Sequence, residues 1–191
     1  MRRLLLVLGT VALVAVVVIG LAQAGGSRDE EQPSTFDLAQ AKRQLQGAPA
    51  PLAALHEQSS TILDGGLDAF EQRLEALDGT PVVINKWASW CRPCRAEFPI
   101  FQSVATERGK EVAFLGVNAG DKRPAAEGFL AERPLPYPSY EDEDEDIARE
   151  LKAAKLFPAT VFIDARGRDH VHFGEYTSRA ELEADIDRYL G

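Results

Sequence analysis

The sequence predicts an α/β domain with a central mixed β-sheet flanked by helices, preceded by an N-terminal transmembrane helix. Strand and helix patterns alternate through the first half of the chain, as parallel βαβ units require. Two strand patterns near the C-terminus, joined by a short turn, predict an antiparallel hairpin in the same sheet. The uncharged apolar run 4–22 is 19 residues long, enough for one helical membrane span.

The leader comprises residues 1–24. Arg2 and Arg3 precede the apolar run 4–22, and the stretch RDEE follows it. This charge distribution predicts a single-pass membrane protein with a cytoplasmic N-terminus and an extracytoplasmic domain. The sequence AQA at 22–24 satisfies an A-x-A cleavage site, so a cleaved signal peptide and a secreted domain are the alternative. Both alternatives place the domain where disulfides persist.

The segment after the leader divides at about residue 60. Residues 25–59 are a polar tether and an accessory helical segment, with a helix pattern over 36–45 and an apolar stretch at 52–55 that we expect to pack on the domain. Residues 60–191 hold the alternating patterns. Their predicted elements are, in order, a short strand at 60–63, a helix at 67–77, a strand at 82–85, a helix ending before Gly109, a strand at 111–118, a helix at about 124–133, a loop at 134–146, a helix at 147–154, two strands around a turn at 165–168, and a helix at 178–190.

These predictions depend on local patterns. The stripe of Leu67, Phe70, Leu74 and Leu77 has the spacing of one helix face. The sequences VVIN and EVAFLGVN are short apolar runs bounded by turn residues, which is typical of buried strands. The acidic run 141–146 lacks the glycine and the spaced ligands of an EF-hand, so we expect a solvated loop whose last carboxylates favour the next helix N-terminus.

The charge balance argues against one class of partner. The chain has 30 Asp and Glu against 21 Lys and Arg, a formal net charge of −9. Binding to a phosphate backbone needs a basic face, and no Lys/Arg cluster occurs in the sequence. We therefore expect no nucleic-acid partner.

The stretch WASWCRPCRAEFP at 87–99 contains both cysteines of the chain. Cys91 falls where a strand ends and a helix begins, so we expect its sulfur to face free backbone N–H groups and the positive end of the helix dipole. Both stabilise the thiolate, which is the species that attacks a disulfide. Cys94 follows one turn later, within reach of Cys91, and Arg92 adds a positive charge. This spacing near a βαβ pattern predicts a redox couple.

Two other interpretations of the cysteine pair are less well supported. Structural zinc needs four ligands, and only His56, His170 and His172 are present to join the cysteines. Inert buried thiols are not expected between Trp90 and Arg92 in an exported domain. We therefore expect no resident metal or cofactor.

The segment VVINKWASWCRPCRAEFP resembles the thioredoxin superfamily, specifically its exported TlpA/ResA-like branch of membrane-anchored thiol–disulfide oxidoreductases. WCRPC is similar to the W-C-x-P-C active site, and Pro99 lies where the superfamily kinks its active-site helix. FPATVFIDARG is similar to the cis-proline segment. Glu97 lies three residues after Cys94, where the branch has a carboxylate. The resemblance extends from about residue 60 to the C-terminus and implies a thioredoxin-like fold.

The resemblance implies a thiol–disulfide oxidoreductase with three catalytic residues. Cys91 attacks a substrate disulfide, and Cys94 resolves the mixed disulfide. Glu97, partly buried with a raised pKa, exchanges a proton with Cys94. The residues that it implies for substrate binding are Trp90, Arg92, Phe157 and Pro158, with Trp90 as an apolar platform and a cis-Pro158 presenting the backbone of Phe157 to an extended peptide.

The chain departs from the branch at three places. Lys86 replaces the aromatic residue that usually precedes Trp87, which puts a cation on the strand next to the site. Phe157 is bulkier than the residue that often precedes the proline. The segment 36–58 does not resemble the hairpin that is typical of the branch.

The implied partners are exported protein thiols and disulfides as substrate, and a membrane or extracytoplasmic redox partner that recycles Cys91 and Cys94. The branch often reduces apocytochrome c, so the resemblance implies a role in cytochrome c maturation.

The sequence fits two alternative functions less well. A thiol peroxidase has a P-x-x-x-T-x-x-C pattern, and no Thr lies between Thr80 and Cys91. A Sco-like copper chaperone has three residues between its cysteines and a distant histidine, for which His170 or His172 is the candidate. We expect both histidines on one face of a strand as solvated edge residues.

Overall fold

The computed structural model describes residues 36–191, in which seven helices and six strands alternate. The predicted leader and the tether up to residue 35 lie outside the described residues. Among residues 36–191, none of the helices combines the length and the apolar character that crossing a membrane requires.

The elements follow the predicted order closely. The strands are β1 Ile62–Leu63, β2 Val82–Trp87, β3 Ala113–Ala119, β4 Ser139–Asp142, β5 Ala159–Ile163 and β6 Asp169–Phe173. The helices are α1 Leu38–Gln44, α2 Ala50–Glu57, α3 Gly66–Ala76, α4 Arg92–Arg108, α5 Arg123–Glu132, α6 Asp146–Glu150 and α7 Arg179–Leu190.

The six strands form one mixed sheet in the order β1-β4-β3-β2-β5-β6. β1, β4, β3 and β2 are parallel, whereas β5 runs antiparallel to β2 and pairs with β6 in a hairpin. The predicted mixed sheet and the predicted C-terminal hairpin are therefore confirmed. The central strand β2 leads directly into the cysteine segment.

The prediction of a loop over 134–146 was wrong in its middle. Ser139–Asp142 form β4, which pairs in parallel with both β1 and β3. The acidic sequence shows no strand periodicity, but Tyr140 packs edge-on against Phe70, at 5.4 Å between ring centroids. Hydrogen bonds to two neighbouring strands and this packing decide the conformation, because strand formation depends strongly on tertiary context.

The helix predicted at 147–154 is shorter than expected. α6 ends at Glu150, and Lys152 has a left-handed backbone with φ of 58°. Asp146, the last carboxylate of the acidic run, lies in the first turn of α6, as predicted. Asp142 of the same run accepts hydrogen bonds from the backbone N–H groups of Ile147 and Ala148, both at 2.9 Å. A carboxylate in this position satisfies N–H groups that have no partner within the helix.

Side chains alternate between two core layers on the two faces of the sheet. Val83 and Trp87 of β2 face the layer that contains the buried residues of α4, α5 and α7. Val82 and Ile84 face the opposite layer, which contains buried residues of α2, α3 and α6. The accessory segment packs as expected, since Leu52 and Leu55 of α2 are buried in this second layer.

Candidate active site

Cys91 and Cys94 are joined in a disulfide at the beginning of α4. The S–S distance is 1.98 Å and the Cα–Cα distance is 5.3 Å. Cys91 is the N-cap residue of the helix, and its Sγ accepts a hydrogen bond from the backbone N–H of Cys94 at 3.2 Å. Cys91 is 3% exposed and Cys94 is inaccessible to solvent. The two predicted redox residues are therefore in contact, with the first at the helix N-terminus.

The local sequence accounts for this helix start. β2 ends at Trp87, a short connection follows, and Pro93 lies in the first turn, where its missing N–H costs no hydrogen bond. Arg92 is exposed beside the cysteines. Pro99 lies inside α4, which continues to Arg108. A thiolate at Cys91 would face the positive end of this helix, which favours the ionised sulfur.

Glu97 is fully buried, not partly buried as predicted. It follows Cys94 by three residues, so the two side chains lie on the same side of α4. Its Oε1 accepts a hydrogen bond from Asn85 Nδ2 at 2.8 Å, and its Oε2 accepts one from the backbone N–H of Tyr176 at 3.2 Å. Burial raises the pKa of Glu97 to about 8, although both hydrogen bonds act in the opposite direction. The predicted direction of the pKa is confirmed, and the carboxyl can gain or lose a proton near neutral pH.

Asn85 extends this buried polar contact into the sheet. Its Oδ1 has no hydrogen-bond partner among the described residues, and neither has the hydroxyl of Thr160, which pairs with Asn85 across β2 and β5. Rotation of the Asn85 side-chain amide by a half-turn about the Cβ–Cγ bond exchanges the positions of Oδ1 and Nδ2. Such a rotation would present Asn85 Oδ1 as an acceptor to the protonated carboxyl of Glu97.

Trp90 and Phe157 form an aromatic wall beside the disulfide. Their ring centroids are 5.0 Å apart, and Trp90 is 59% exposed. Trp90 Nε1 donates a hydrogen bond to the carbonyl of Gly120 at 2.9 Å. The Phe157–Pro158 peptide bond is cis, and Pro158 is buried at the start of β5. Trp87, by contrast, is inaccessible and packs on Phe98, as a core residue should.

Asp121 is a site residue that the sequence analysis missed. It accepts hydrogen bonds from Ser89, through the backbone N–H at 2.6 Å and the hydroxyl at 3.0 Å, and from Asn118 Nδ2 at 3.0 Å. It thereby connects the chain just before Cys91 to the end of β3. The carboxyl ends of neighbouring parallel strands lie at the same edge of a sheet. The polar residues that follow β2 and β3 could therefore have predicted the contact between Ser89 and Asp121.

Lys86 lies on β2, the strand that leads into the site, as predicted, and its side chain is buried within the domain. It points to the face of the sheet opposite Glu97 and is only 1% exposed. Its Nζ lies 3.3 Å from Glu145 Oε2 and 3.6 Å from the centroid of the Phe157 ring. Burial lowers the pKa of Lys86, and the charge of Glu145 acts against that decrease.

The two histidines considered for a copper site lie on β6, at the edge of the sheet, as predicted. They are not simply solvated: His170 stacks on Tyr189, and the half-buried His172 stacks on Tyr176 with its Nδ1 3.5 Å from Asp185 Oδ2. Within residues 36–191, no group of three or more His, Cys, Asp or Glu side chains has an arrangement suited to a metal ion.

Comparison with known proteins places this arrangement in a family. A family model described as Redoxin matches residues 46–186, most of the chain. The chain belongs to the Redoxin family. The resemblance to the thioredoxin superfamily is thus confirmed, and the mixed sheet flanked by helices is a thioredoxin-like fold.

Individual relatives agree with this assignment. The chain is 40% identical over 92 residues to the thiol:disulfide interchange protein DsbE of Pseudomonas fluorescens biotype C, which covers 48% of this chain and 49% of that protein. It is 30% identical over 102 residues to the thiol-disulfide oxidoreductase ResA of Oceanobacillus iheyensis, which covers 53% of each. The chain thus spans about half the length of these relatives. The structure of DsbF from MTB, in mixed oxidized and reduced forms, has 31% identity and a TM-score of 0.56, covering 60% of this chain and 84% of that one.

Proposed function

We propose that this Redoxin-family protein is an extracytoplasmic thiol–disulfide oxidoreductase that exchanges disulfides with exported proteins through Cys91 and Cys94. The observation that carries the proposal is the disulfide itself, placed at the N-terminus of α4 and next to an exposed aromatic wall. The names of the relatives, a thiol:disulfide interchange protein and a thiol-disulfide oxidoreductase, support the same chemistry.

The reaction in the reducing direction has two exchanges. The Cys91 thiolate attacks one sulfur of a substrate disulfide, which forms a mixed disulfide and releases the other substrate sulfur as a thiolate. Cys94 then loses its proton and attacks Cys91 Sγ, which closes the Cys91–Cys94 disulfide and releases the second substrate sulfur. Two electrons pass from the protein to the substrate, whose two sulfurs take up two protons. The oxidising direction is the reverse.

Glu97 is the proposed proton acceptor for Cys94. A carboxyl with a pKa of about 8 holds its proton about nine-tenths of the time at pH 7, yet its ionised form is a stronger base than an ordinary glutamate. It lies one helical turn from Cys94, within the same buried layer. In the reverse reaction, the protonated carboxyl returns the proton as Cys94 leaves.

Substrate binding is assigned to the surface around the disulfide. The aromatic wall supplies apolar contact, and Leu156, 52% exposed, extends it. Arg92 supplies a positive charge at the start of α4, and the backbone around Phe157 and Pro158 would pair with an extended peptide. We assign membrane attachment to residues 4–22, with the domain outside the cytoplasm, where a membrane or extracytoplasmic redox partner would recycle the cysteines.

Single-turnover exchange tests the chemistry. The reduced full chain is mixed with a peptide that has an intramolecular disulfide, and the products are identified by intact mass. We expect wild type to become oxidised, Cys94→Ser to accumulate the mixed disulfide, and Cys91→Ser to form no adduct. Exchange by Cys91→Ser at the wild-type rate would refute the proposed roles.

The direction of electron flow can be measured by equilibrating the full chain with glutathione. A reduction potential near −270 mV, about that of thioredoxin, would define a reductant. A potential near −120 mV, about that of a strong oxidant such as DsbA, would define the opposite role.

A further inference from the structure

Lys86 carries a positive charge into the interior of the domain, next to the proposed site. It is one of the largest fully buried side chains of the described residues, and it lies on the central strand β2. Removing an ammonium group from water is costly unless the protein supplies compensating partners. The groups that compensate the buried charge of Lys86 therefore indicate which part of the structure the lysine stabilises.

Those partners all belong to segments that border the substrate surface. Lys86 Nζ donates hydrogen bonds to the carbonyl oxygens of Ala153, at 2.9 Å, and Leu156, at 3.3 Å. Both carbonyls lie in the short connection between α6 and Pro158. The ammonium also lies 3.6 Å from the centroid of the Phe157 ring, a cation–π contact with one half of the aromatic wall. Lys86 thus contacts this connection in two ways, through hydrogen bonds to its backbone carbonyls and through the ring of Phe157.

Glu145 links Lys86 to the other half of the wall. Its carboxylate lies 3.3 Å from Lys86 Nζ, and its backbone adopts a left-handed conformation, φ 58°, which is uncommon outside glycine. A Cβ atom on Gly120 would lie 3.4 Å from Glu145 Oε1, and the Gly120 carbonyl accepts the hydrogen bond of Trp90. The lysine therefore contacts Phe157 directly, and its ion-pair partner Glu145 lies beside Gly120, the residue that accepts the hydrogen bond of Trp90.

We propose that Lys86 is a positioning residue that holds the aromatic wall of Trp90 and Phe157 in place, and thereby determines how tightly the site binds a polypeptide disulfide. This inference rests on the proposed function. A polypeptide must lie across the wall to bring its disulfide to Cys91, whereas a small disulfide needs only the sulfur. Loss of the ammonium should therefore weaken polypeptide binding and leave the exchange with a small disulfide unchanged.

The test compares two substrates in single turnovers of the reduced full chain. The substrates are a peptide with an intramolecular disulfide and glutathione disulfide. The variant is Lys86→Met, which keeps the length of the side chain and removes the charge. The matched control is Lys122→Met, the same change at an exposed lysine whose partner is Glu143.

For Lys86→Met we expect a half-saturating peptide concentration about 3- to 10-fold above wild type, as loss of a buried cation–π contact implies. The limiting rate and the rate with glutathione disulfide should stay within about twofold of wild type. Lys86→Arg, which retains a cation, should recover part of the peptide affinity. Acrylamide quenching of Trp90, the exposed one of the two tryptophans, should also change in Lys86→Met and not in Lys122→Met.

Two further variants test the contacts without removing the lysine. Phe157→Leu removes the ring, and Glu145→Gln removes the charge partner. If Lys86→Met fails to fold, a selective loss of peptide affinity in Glu145→Gln supports the inference, and unchanged affinity in Glu145→Gln overturns it, whereas Phe157→Leu gives the loss expected when the wall itself is removed.

Other outcomes overturn the inference directly. Unchanged peptide affinity in a folded Lys86→Met protein does so, as does an equal loss of rate with both substrates, because a structural role alone produces that pattern. If wild type exchanges with neither substrate, the proposed function is wrong and the inference fails with it. If wild type exchanges with both substrates and Lys86→Met behaves like wild type, the role of Lys86 is refuted and the proposed function is not.

Discussion

Replacement of Glu97 by glutamine should remove a large part of the pH dependence of stability between about pH 4.5 and pH 8. The carboxyl of Glu97 is inaccessible to solvent, and burial raises its pKa from the ordinary value of 4.5 to about 8. Glutamine has nearly the same shape and does not titrate. Its Oε1 can accept the Tyr176 N–H hydrogen bond, and its Nε2 can donate to Asn85 Oδ1, which has no other partner in the described structure.

The sign follows from the proton balance of folding. Below pH 4.5, Glu97 holds its proton in the folded and the unfolded protein, so stability is at its full value. Between pH 4.5 and pH 8 the unfolded chain ionises and the folded protein does not, so stability falls as the pH rises. Above pH 8 both states are ionised and the loss is complete. With about 1.4 kcal/mol for each pH unit, the total is on the order of 5 kcal/mol.

Urea unfolding of the oxidised full chain, followed by tryptophan fluorescence at several pH values from 5 to 8.5, measures this effect. The free energy of unfolding of wild type, relative to that of Glu97→Gln, should decrease by about 1.4 kcal/mol for each pH unit. Taking the difference cancels the other titrating groups. Glu132→Gln, at an exposed glutamate, is the control and should follow wild type. Parallel profiles for wild type and Glu97→Gln would show that Glu97 does not have a raised pKa.

Two further predictions concern the sheet and its connections. Gly116→Ala should destabilise the protein by about 1–3 kcal/mol in urea unfolding, because the new Cβ would lie 2.0 Å from Ser139 Oγ and 3.0 Å from Trp87 Nε1. Wild-type stability in this variant would mean that β3 and β4 shift easily. Asp142→Ala should cost about 1–2 kcal/mol and speed amide hydrogen exchange at Ile147, since it removes two hydrogen bonds from the start of α6. Unchanged exchange at Ile147 would contradict the capping role.

The local motifs were sufficient to predict most of the fold and the centre of the site. Apolar runs bounded by turn residues predicted the buried strands β2, β3 and β5, and the turn at 165–168 predicted the hairpin of β5 with the more exposed β6. The spacing of Cys91 and Cys94 across one helical turn sufficed to predict that they meet. Such features depend on residues that are close in the chain.

The tertiary structure decided what depends on distant segments. β4 forms from an acidic sequence because a strand lies on each side of it, and Asp142 at its end accepts hydrogen bonds from the start of α6. The pKa of Glu97 depends on complete burial and on Tyr176, 79 residues away. Lys86 is the clearest example of a residue whose surroundings depend on the tertiary structure. Its neighbours in the chain indicate only a cation on a strand, whereas the fold brings Glu145 and Phe157 around it, 59 and 71 residues further along. A buried charge takes its function from the groups that compensate it, and only the folded chain brings those groups together.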